Sequence, residues 1–420
     1  MAFCTLQPAA SRFGQWFRHS FVVGRRLSAL GCATGFALFV EVACCTELPG
    51  VTYTNIIVPT EPWSIHVVKI DRSGNRYEIQ TPHAGKGALG LSTLRDQITA
   101  IEPGKGIAVA AINGGFYRRD SAYAGAARGL QIISGEVISA PAGNASFWVD
   151  IGGDPHLTNV TSQFQFTTPD GKRTPFGLNE MRPDNGVVLY TPVIGNSTGT
   201  TNGMELVLEH AGGRWLPLRV GQHYSARVRE VRHSGNTPLS ADILVLSFGS
   251  AIAKQFPDLK ANATLQISTA SLPSLSVARA AISGGPILVK NGKRQKIRAE
   301  ADAAYEFSSM LEQHPRSAVG WNQDSFFLVE VDGRQKDLSV GMTLDELSTF
   351  LVKLGCQEAM NLDGGGSSTL WYDGEVRNNP CDGYERTIAN SLVVVKKAAK
   401  VSGAPATPQS TSADERRTGN

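Results

Sequence analysis

The chain has few cysteines where a core could use them. Four of its six (Cys4, Cys32, Cys44, Cys45) fall in the first 45 residues, leaving Cys356 and Cys381 for the body. Two cysteines without histidines at ligand spacing do not make a zinc site. Charge is also sparse, at 18% of residues against 41% hydrophobic, which excludes a disordered chain. The formal net charge is +3, and Arg12, Arg18, Arg25 and Arg26 against Glu41 account for all of it. The body is therefore near neutral and presents no global basic field to nucleic acid or an acidic membrane. Neither a heptad nor a glycine triplet period is present, nor a repeat of ~20–50 residues, so coiled coil, collagen and solenoid are excluded. Walker, HExxH and G-x-S-x-G motifs are missing. Gly85–Gly90 spells G-x-G-x-x-G, but Pro82 and His83 separate it from the preceding strand. No acid stands ~20 residues on, so it reads as a glycine-rich loop.

Glycine is what the chain has in quantity, with 44 glycines beside 21 prolines, a punctuation that favours many short strands. Residues 27–40, LSALGCATGFALFV, are an apolar run preceded by arginines and followed by small residues. That order predicts a secretory signal peptide or an uncleaved N-terminal anchor over residues 1–45. At ~1.5 Å per residue the run spans only ~21 Å of a ~30 Å hydrocarbon core. Residues 46–62, with three prolines, read as an extended linker, and residues 397–420 as a disordered tail.

Between them, strands are expected at 63–70, 76–80, 107–112, 187–190, 205–209, 215–220, 242–247, 326–331, 358–362 and 391–395. Hairpins are expected on Ser134–Gly135 and Asn291–Gly292. A first helix is expected over 92–101. A second begins at the capping box Thr343–Leu344–Asp345–Glu346, with Leu344, Leu347, Leu351 and Leu354 on one face and Gly355 as its stop. This pattern predicts an α+β fold of mixed, mainly antiparallel sheets with few helices, in one extended catalytic domain over residues 63–396. An exported chain can oxidise Cys356 and Cys381, and a bridge there would close a loop around Asp363 contributing ~3 kcal/mol.

Five segments combine strand ends with glycine and polar residues. Asn361–Leu362–Asp363–Gly364–Gly365–Gly366–Ser367–Ser368 delivers a carboxylate from an apolar strand into three glycines. Consecutive glycines let backbone approach a ligand and leave N–H groups for anionic oxygen, with Ser367 adding a hydroxyl. Asn113–Gly114–Gly115–Phe116–Tyr117 pairs an amide with two rings, as a sugar face requires. Ser283–Gly284–Gly285–Pro286 repeats the strand-then-diglycine pattern. His314–Pro315–Arg316 offers a guanidinium suited to bidentate phosphate or carboxylate binding. Asp382–Gly383–Tyr384–Glu385–Arg386 places two carboxylates and an arginine on one loop.

Together, AINGGFY (111–117), ISGGPILVKNG (282–292), HPRSAVGW (314–321), NLDGGGSSTL (361–370) and DGYERTIANSLVV (382–394) resemble the phosphodiester glycosidase family, in the family's order. The resemblance spans roughly residues 63–396 and is of the bacterial kind tied to envelope or exopolysaccharide processing. It implies one pocket formed by Asp363, Gly364, Gly365, Gly366, Arg316, Asn113, Gly114, Gly115, Gly284, Gly285, Asp382 and Arg386, with Ser283 and Glu385 nearby.

It implies a hydrolase cleaving the glycosidic C–O bond of a sugar-1-phosphodiester, acting outside the cytoplasm: periplasmic, envelope-associated or secreted; the residues assign no cofactor and no metal ligand, and leave open whether a metal helps. Carboxylates would come from Asp363, Asp382 and Glu385, and Asp363 is the first candidate to meet an oxocarbenium-like transition state. A phosphate monoester leaves without much need of a proton, since its second pKa is only ~6, so Arg316, Arg386 and backbone N–H groups should hold its charge. The partner is then a sugar-phosphate diester or phosphate-linked glycan. A second reading is a non-catalytic envelope protein that binds such a polymer. Cleavage at phosphorus ranks last, because one central Asp and few histidines suit a two-metal site poorly.

Overall fold

The computed structural model describes residues 48–85, 88–119, 123–297, 307–397; the expected signal or anchor (1–45) and tail lie outside them, apart from Lys397. The described residues belong to one compact unit beginning at Leu48. They form three sheets of seven, twelve and five strands, with four short α-helices, which is the expected α+β, mainly antiparallel architecture. No helix among them is long and apolar enough to cross a membrane.

The seven-stranded sheet runs in the order Val51–Val58, Trp63–Asp71, Ser325–Val331, Arg316–Trp321, Glu358–Asn361, Ile287–Lys290, Lys293–Arg294. Its central strands Arg316–Trp321 and Ser325–Val331 are buried throughout. The helix Leu344–Lys353 packs on its outer face through Leu344, Leu347 and Leu351. The capping box forms as expected: Thr343 Oγ1 accepts from Glu346 N, and Glu346 Oε2 accepts from Thr343 N at 2.8 Å. Such caps contribute about 1 kcal/mol each.

In the five-stranded sheet, Ile107–Asn113 lies between Leu370–Tyr372 and Ser391–Lys396. The twelve-stranded sheet carries the largest apolar cluster, around Phe164, Phe166, Leu206, Trp215, Leu246 and Phe248. Its one parallel pairing joins Gly177–Leu178 to Val187–Tyr190. The two expected hairpins form, with Ser134, Gly135, Asn291 and Gly292 all at positive φ, as tight two-residue turns require.

Three expectations are corrected. Within the segment read as a linker, Val51–Val58 is an edge strand paired over its whole length with Trp63–Asp71. Its prolines, Pro49, Pro59 and Pro62, fall outside the paired span, where no ladder hydrogen bond is lost. Residues 215–220 are not a strand. Pro217 cannot donate to a ladder, and Trp215, Leu218 and Val220 bury in the twelve-stranded sheet's core instead. Cys356 and Cys381 are both free thiols. Cys356 packs in the apolar core beneath Leu344–Lys353, and burial pushes its thiol up to about 12.

Candidate active site

The three sheets meet at a seam built from strand ends. Asn113 ends Ile107–Asn113, Ser283 ends Ala278–Ser283, and Asn361 ends Glu358–Asn361. Beyond each, glycine lets one chain run against another. A Cβ on Gly114 would overlap Asn390 Oδ1, and one on Gly115 would overlap the carbonyl of Ser283. Bonds stitch the seam: Asp363 N donates to Gly114 O (3.0 Å), Gly285 N to Asn361 O (2.7 Å) and Gly114 N to Asn390 O (2.9 Å). Asn113 is the central tie. Its Nδ2 donates to Asp363 O at 2.7 Å, and its Oδ1 accepts from Ser317 Oγ (2.6 Å) and Thr369 N (3.1 Å).

Above the seam opens a cavity of about 370 Å³. Asp363 is the one carboxylate in its lining among the described residues, facing five arginines: Arg119, Arg128, Arg316, Arg334 and Arg386. Phe116, Tyr117, Pro286 and Met310 supply apolar wall, with Gly285, Gly364, Gly365 and Ser367 beside Asp363. Burial pushes the Asp363 carboxyl up to about 6, against the pull of the Ser367 hydroxyl, the Gly364 amide (3.0 Å to Oδ1) and the charges of Arg386 and Arg119. A roomier hollow of about 550 Å³ lies around Thr81, His83 and Arg279. Its charges are already paired, Arg279 with Glu78 at 2.6 Å and Lys105 with Glu102 at 3.5 Å, so it offers less to a ligand.

Several sequence-derived site residues take other places. Asn113 is wholly buried and does not line the cavity, because its amide is committed to the seam. Gly114, Gly115, Gly284 and Gly366 permit close packing rather than face a ligand. The triglycine loop does not form an open anion nest. Gly364 N donates to Asp363 Oδ1, Gly365 N to Pro315 O, Ser367 N to Gly364 O and Ser368 N to Gly365 O.

Arg316 lines the cavity, yet its Nε donates to Met342 O (2.7 Å) and its Nη2 to Ser309 O (2.5 Å) and Glu312 O (2.8 Å). Burial draws its guanidinium down to about 10, helped by the charge of Arg334. Arg316 thus organises the wall more than it reaches inward. Asp382 receives Arg386 Nη2 at 2.6 Å and Nε at 3.1 Å, and that guanidinium holds its carboxyl below the usual range. Glu385 points to the first turn of helix Leu94–Thr99, accepting from Arg95 N at 2.9 Å. Neither Asp382 nor Glu385 lines the cavity.

Sequence reasoning missed Arg119, Arg128 and Arg334. For the first two, nothing local distinguishes an arginine near an aromatic turn. Arg334 carried a signal: it follows Asp332–Gly333 at a strand end and adopts φ +60, a conformation uncommon outside glycine and typical of functional positions. It stands over Gly365, whose open side leaves room for its guanidinium. His314 lies beside it, Nδ1 3.4 Å from Arg334 Nε. Burial, with Arg316 and Arg334, keeps that imidazole below its usual pKa and so neutral at pH 7.

Residues 228–395 match the phosphodiester glycosidase family, the one the sequence motifs resemble. The SPbeta prophage-derived protein YomE of Bacillus subtilis is 32% identical over 118 residues, covering 28% of this chain and 17% of YomE. A protein of Synechocystis superposes with a TM-score of 0.66 at 20% identity, over 82% of this chain and 62% of that one. A Burkholderia pseudomallei protein whose name marks it as a candidate for export superposes with a TM-score of 0.60 at 20% identity, over 79% and 74%. The two structural likenesses are likenesses of fold. This chain spans under a fifth of YomE and about three-fifths of the Synechocystis protein.

Proposed function

From the phosphodiester glycosidase match over residues 228–395, we propose that this protein hydrolyses a sugar-1-phosphodiester at the glycosidic C–O bond, releasing a phosphate monoester. The observation that carries this reading is the cavity in which one half-buried carboxylate, Asp363, faces five arginines. Such a receptacle is built for an anion, and a phosphodiester brings one.

Asp363 meets the developing positive charge at the anomeric carbon, either by attack or by electrostatic stabilisation. Electrons leave with the bridging oxygen, which departs on the phosphate. Arg119, Arg128, Arg334 and Arg386 hold that charge, and water supplies the hydroxyl that ends on the sugar while its other proton ends on the released monoester or in solvent. No second carboxylate is needed as acid, because the monoester is a weak base. Phe116 and Tyr117 supply ring faces for the sugar. The substrate class is a phosphate-linked glycan of the envelope or an exopolysaccharide, reached by an exported chain with a cleaved signal or an N-terminal anchor. The N-terminal run at 27–40 and the name of the Burkholderia neighbour support export.

The test is release of free sugar by the purified full chain from a panel of sugar-1-phosphodiesters, beside the same sugars as aryl glycosides. Turnover of the diesters supports the proposal. Saturable binding with no release of sugar would replace it with the glycan-binding reading.

A further inference from the structure

A second group of buried ionisable side chains lies outside the cavity lining. His66, Glu330 and Asp332 are 4%, 0% and 1% exposed. One potential ligand atom from each lies within 4.8 Å of the others. The arrangement follows from strand register. His66 on Trp63–Asp71 pairs directly with Glu330 on Ser325–Val331, and Asp332, two residues on, continues along the same face. Asp332 N donates to Ser64 O, which extends the ladder by one rung.

The charges in this group do not balance. Two carboxylates share a buried site with one imidazole. Among the described residues the only ion pair either makes is His66 Nε2 to Asp332 Oδ2, at 2.9 Å. The neighbouring guanidinium, Arg377, is engaged elsewhere, at 2.8 Å from Glu375 and stacked on Tyr53 and Tyr372. Neither oxygen of Glu330 has a hydrogen-bond partner. The nearest donor is the Asn378 amide: one Nδ2 hydrogen goes to Ser368 O at 3.2 Å, and the other is directed at the Glu330 carboxylate without reaching hydrogen-bond geometry, so it relieves the buried charge only in part. A wholly buried carboxylate with both oxygens unmet is costly and calls for a counter-charge.

We infer that His66 Nε2, Glu330 and Asp332 Oδ2 form a binding site for one divalent transition-metal ion, with zinc as the best-matched occupant. One imidazole nitrogen and two carboxylate oxygens suit zinc better than calcium or magnesium, which prefer oxygen alone. Zinc–ligand bonds of ~2.0–2.2 Å put neighbouring ligands roughly 3.5 Å apart, within reach of small side-chain rotations. The second layer is in place. Tyr53 Oη lies 2.7 Å from His66 Nδ1 and fixes the ring, while Nε2, which meets Asp332 Oδ2 at 2.9 Å, Ser64 Oγ at 3.2 Å and Asn55 Nδ2 at 3.3 Å, would exchange these contacts for the metal when Nδ1 carries the proton. Asp332 Oδ1 accepts from Asn379 N at 2.7 Å. The ion would thereby tie the N-terminal strand pair to the loop that leads on to Asp382 and Arg386. Asp332 also stands two residues before Arg334, so the ion's second effect is to hold one wall of the cavity from behind.

The test uses the full chain, purified without a polyhistidine tag, and does not depend on turnover. Elemental analysis should find about one zinc per chain after dialysis. Stripping with a chelator should lower the melting temperature, and Zn²⁺ but not Mg²⁺ should restore it. Glu330→Gln and His66→Ala should abolish the uptake. Should a variant fail to fold, the stripped and reloaded wild-type protein still decides. A stripped chain that takes up no Zn²⁺, with a melting temperature unmoved by chelator or metal, overturns the inference.

Discussion

Asn113 donates a hydrogen bond of 2.7 Å to the carbonyl of Asp363, across 250 residues of chain. The amide never faces the cavity, yet it sets where the carboxylate's backbone stands. Around that tie, Asn113, Ser283 and Asn361 each end a strand of a different sheet.

Asp363→Asn should lower turnover of every substrate by orders of magnitude, measured as kcat on diesters and aryl glycosides alike. It should also raise stability at neutral pH. The folded pKa of about 6 exceeds the unfolded value near 3.8, so the wild-type protein is favoured below pH 4 and loses that advantage as pH rises through 6. About two pKa units correspond to roughly 3 kcal/mol at most. The variant's melting temperature should therefore exceed wild type at pH 8 and match it near pH 4.

If Asp363 acts as an anion, log kcat/KM should climb with unit slope below about pH 6, bend there and level off above it. An opposite limb, with activity lost above pH 6, would show that the protonated carboxyl is the working form.

The arginines should separate by role. Arg334→Ala should reduce kcat/KM on phosphodiesters by about 10²-fold or more while leaving aryl glycosides within a few-fold, as expected for a charge-assisted contact to the leaving group. Arg316→Ala should lower activity on both substrates together and depress the melting temperature, because it strips donors from Met342, Ser309 and Glu312 carbonyls.

Gly115→Ala should destabilise the fold by about 1–3 kcal/mol or more in urea titrations, since its methyl would meet the Ser283 carbonyl. Gly104→Ala, where nothing lies within 4 Å, is the control and should change little.

Reducing agent should leave the melting temperature of the described core unchanged, because Cys356 and Cys381 are free and Cys356 is enclosed in apolar packing. A fall of several degrees on adding dithiothreitol would restore the disulfide expectation.

Local grammar carried far in this chain. Ser134–Gly135, Asn291–Gly292 and the Thr343–Glu346 box read directly as the turns and cap they form, since each depends on residues within a few positions. The glycine-flanked clusters likewise pointed to one locality, because close chain crossing leaves a compositional mark. What each polar group does once there was not legible. Asn113, Arg316 and Glu385 look in sequence like ligands, and distant acceptors or donors claim them. Arg119 and Arg128 look ordinary and become cavity residues only through pairings of Ile107–Asn113 with strands near the other end of the chain. The edge strand Val51–Val58 hid among prolines that sit just outside its ladder.

The central place of Ile107–Asn113 in the five-stranded sheet reaches beyond the pocket. This strand lies upstream of the stretch matched to the family, while both of its neighbours lie within or just past that stretch. A fragment cut to residues 228–395 would leave two strands facing an empty slot and Asp363 without its anchor. The proposed activity thus belongs to the assembled chain, and on refolding it should emerge only once those distant ends have found each other.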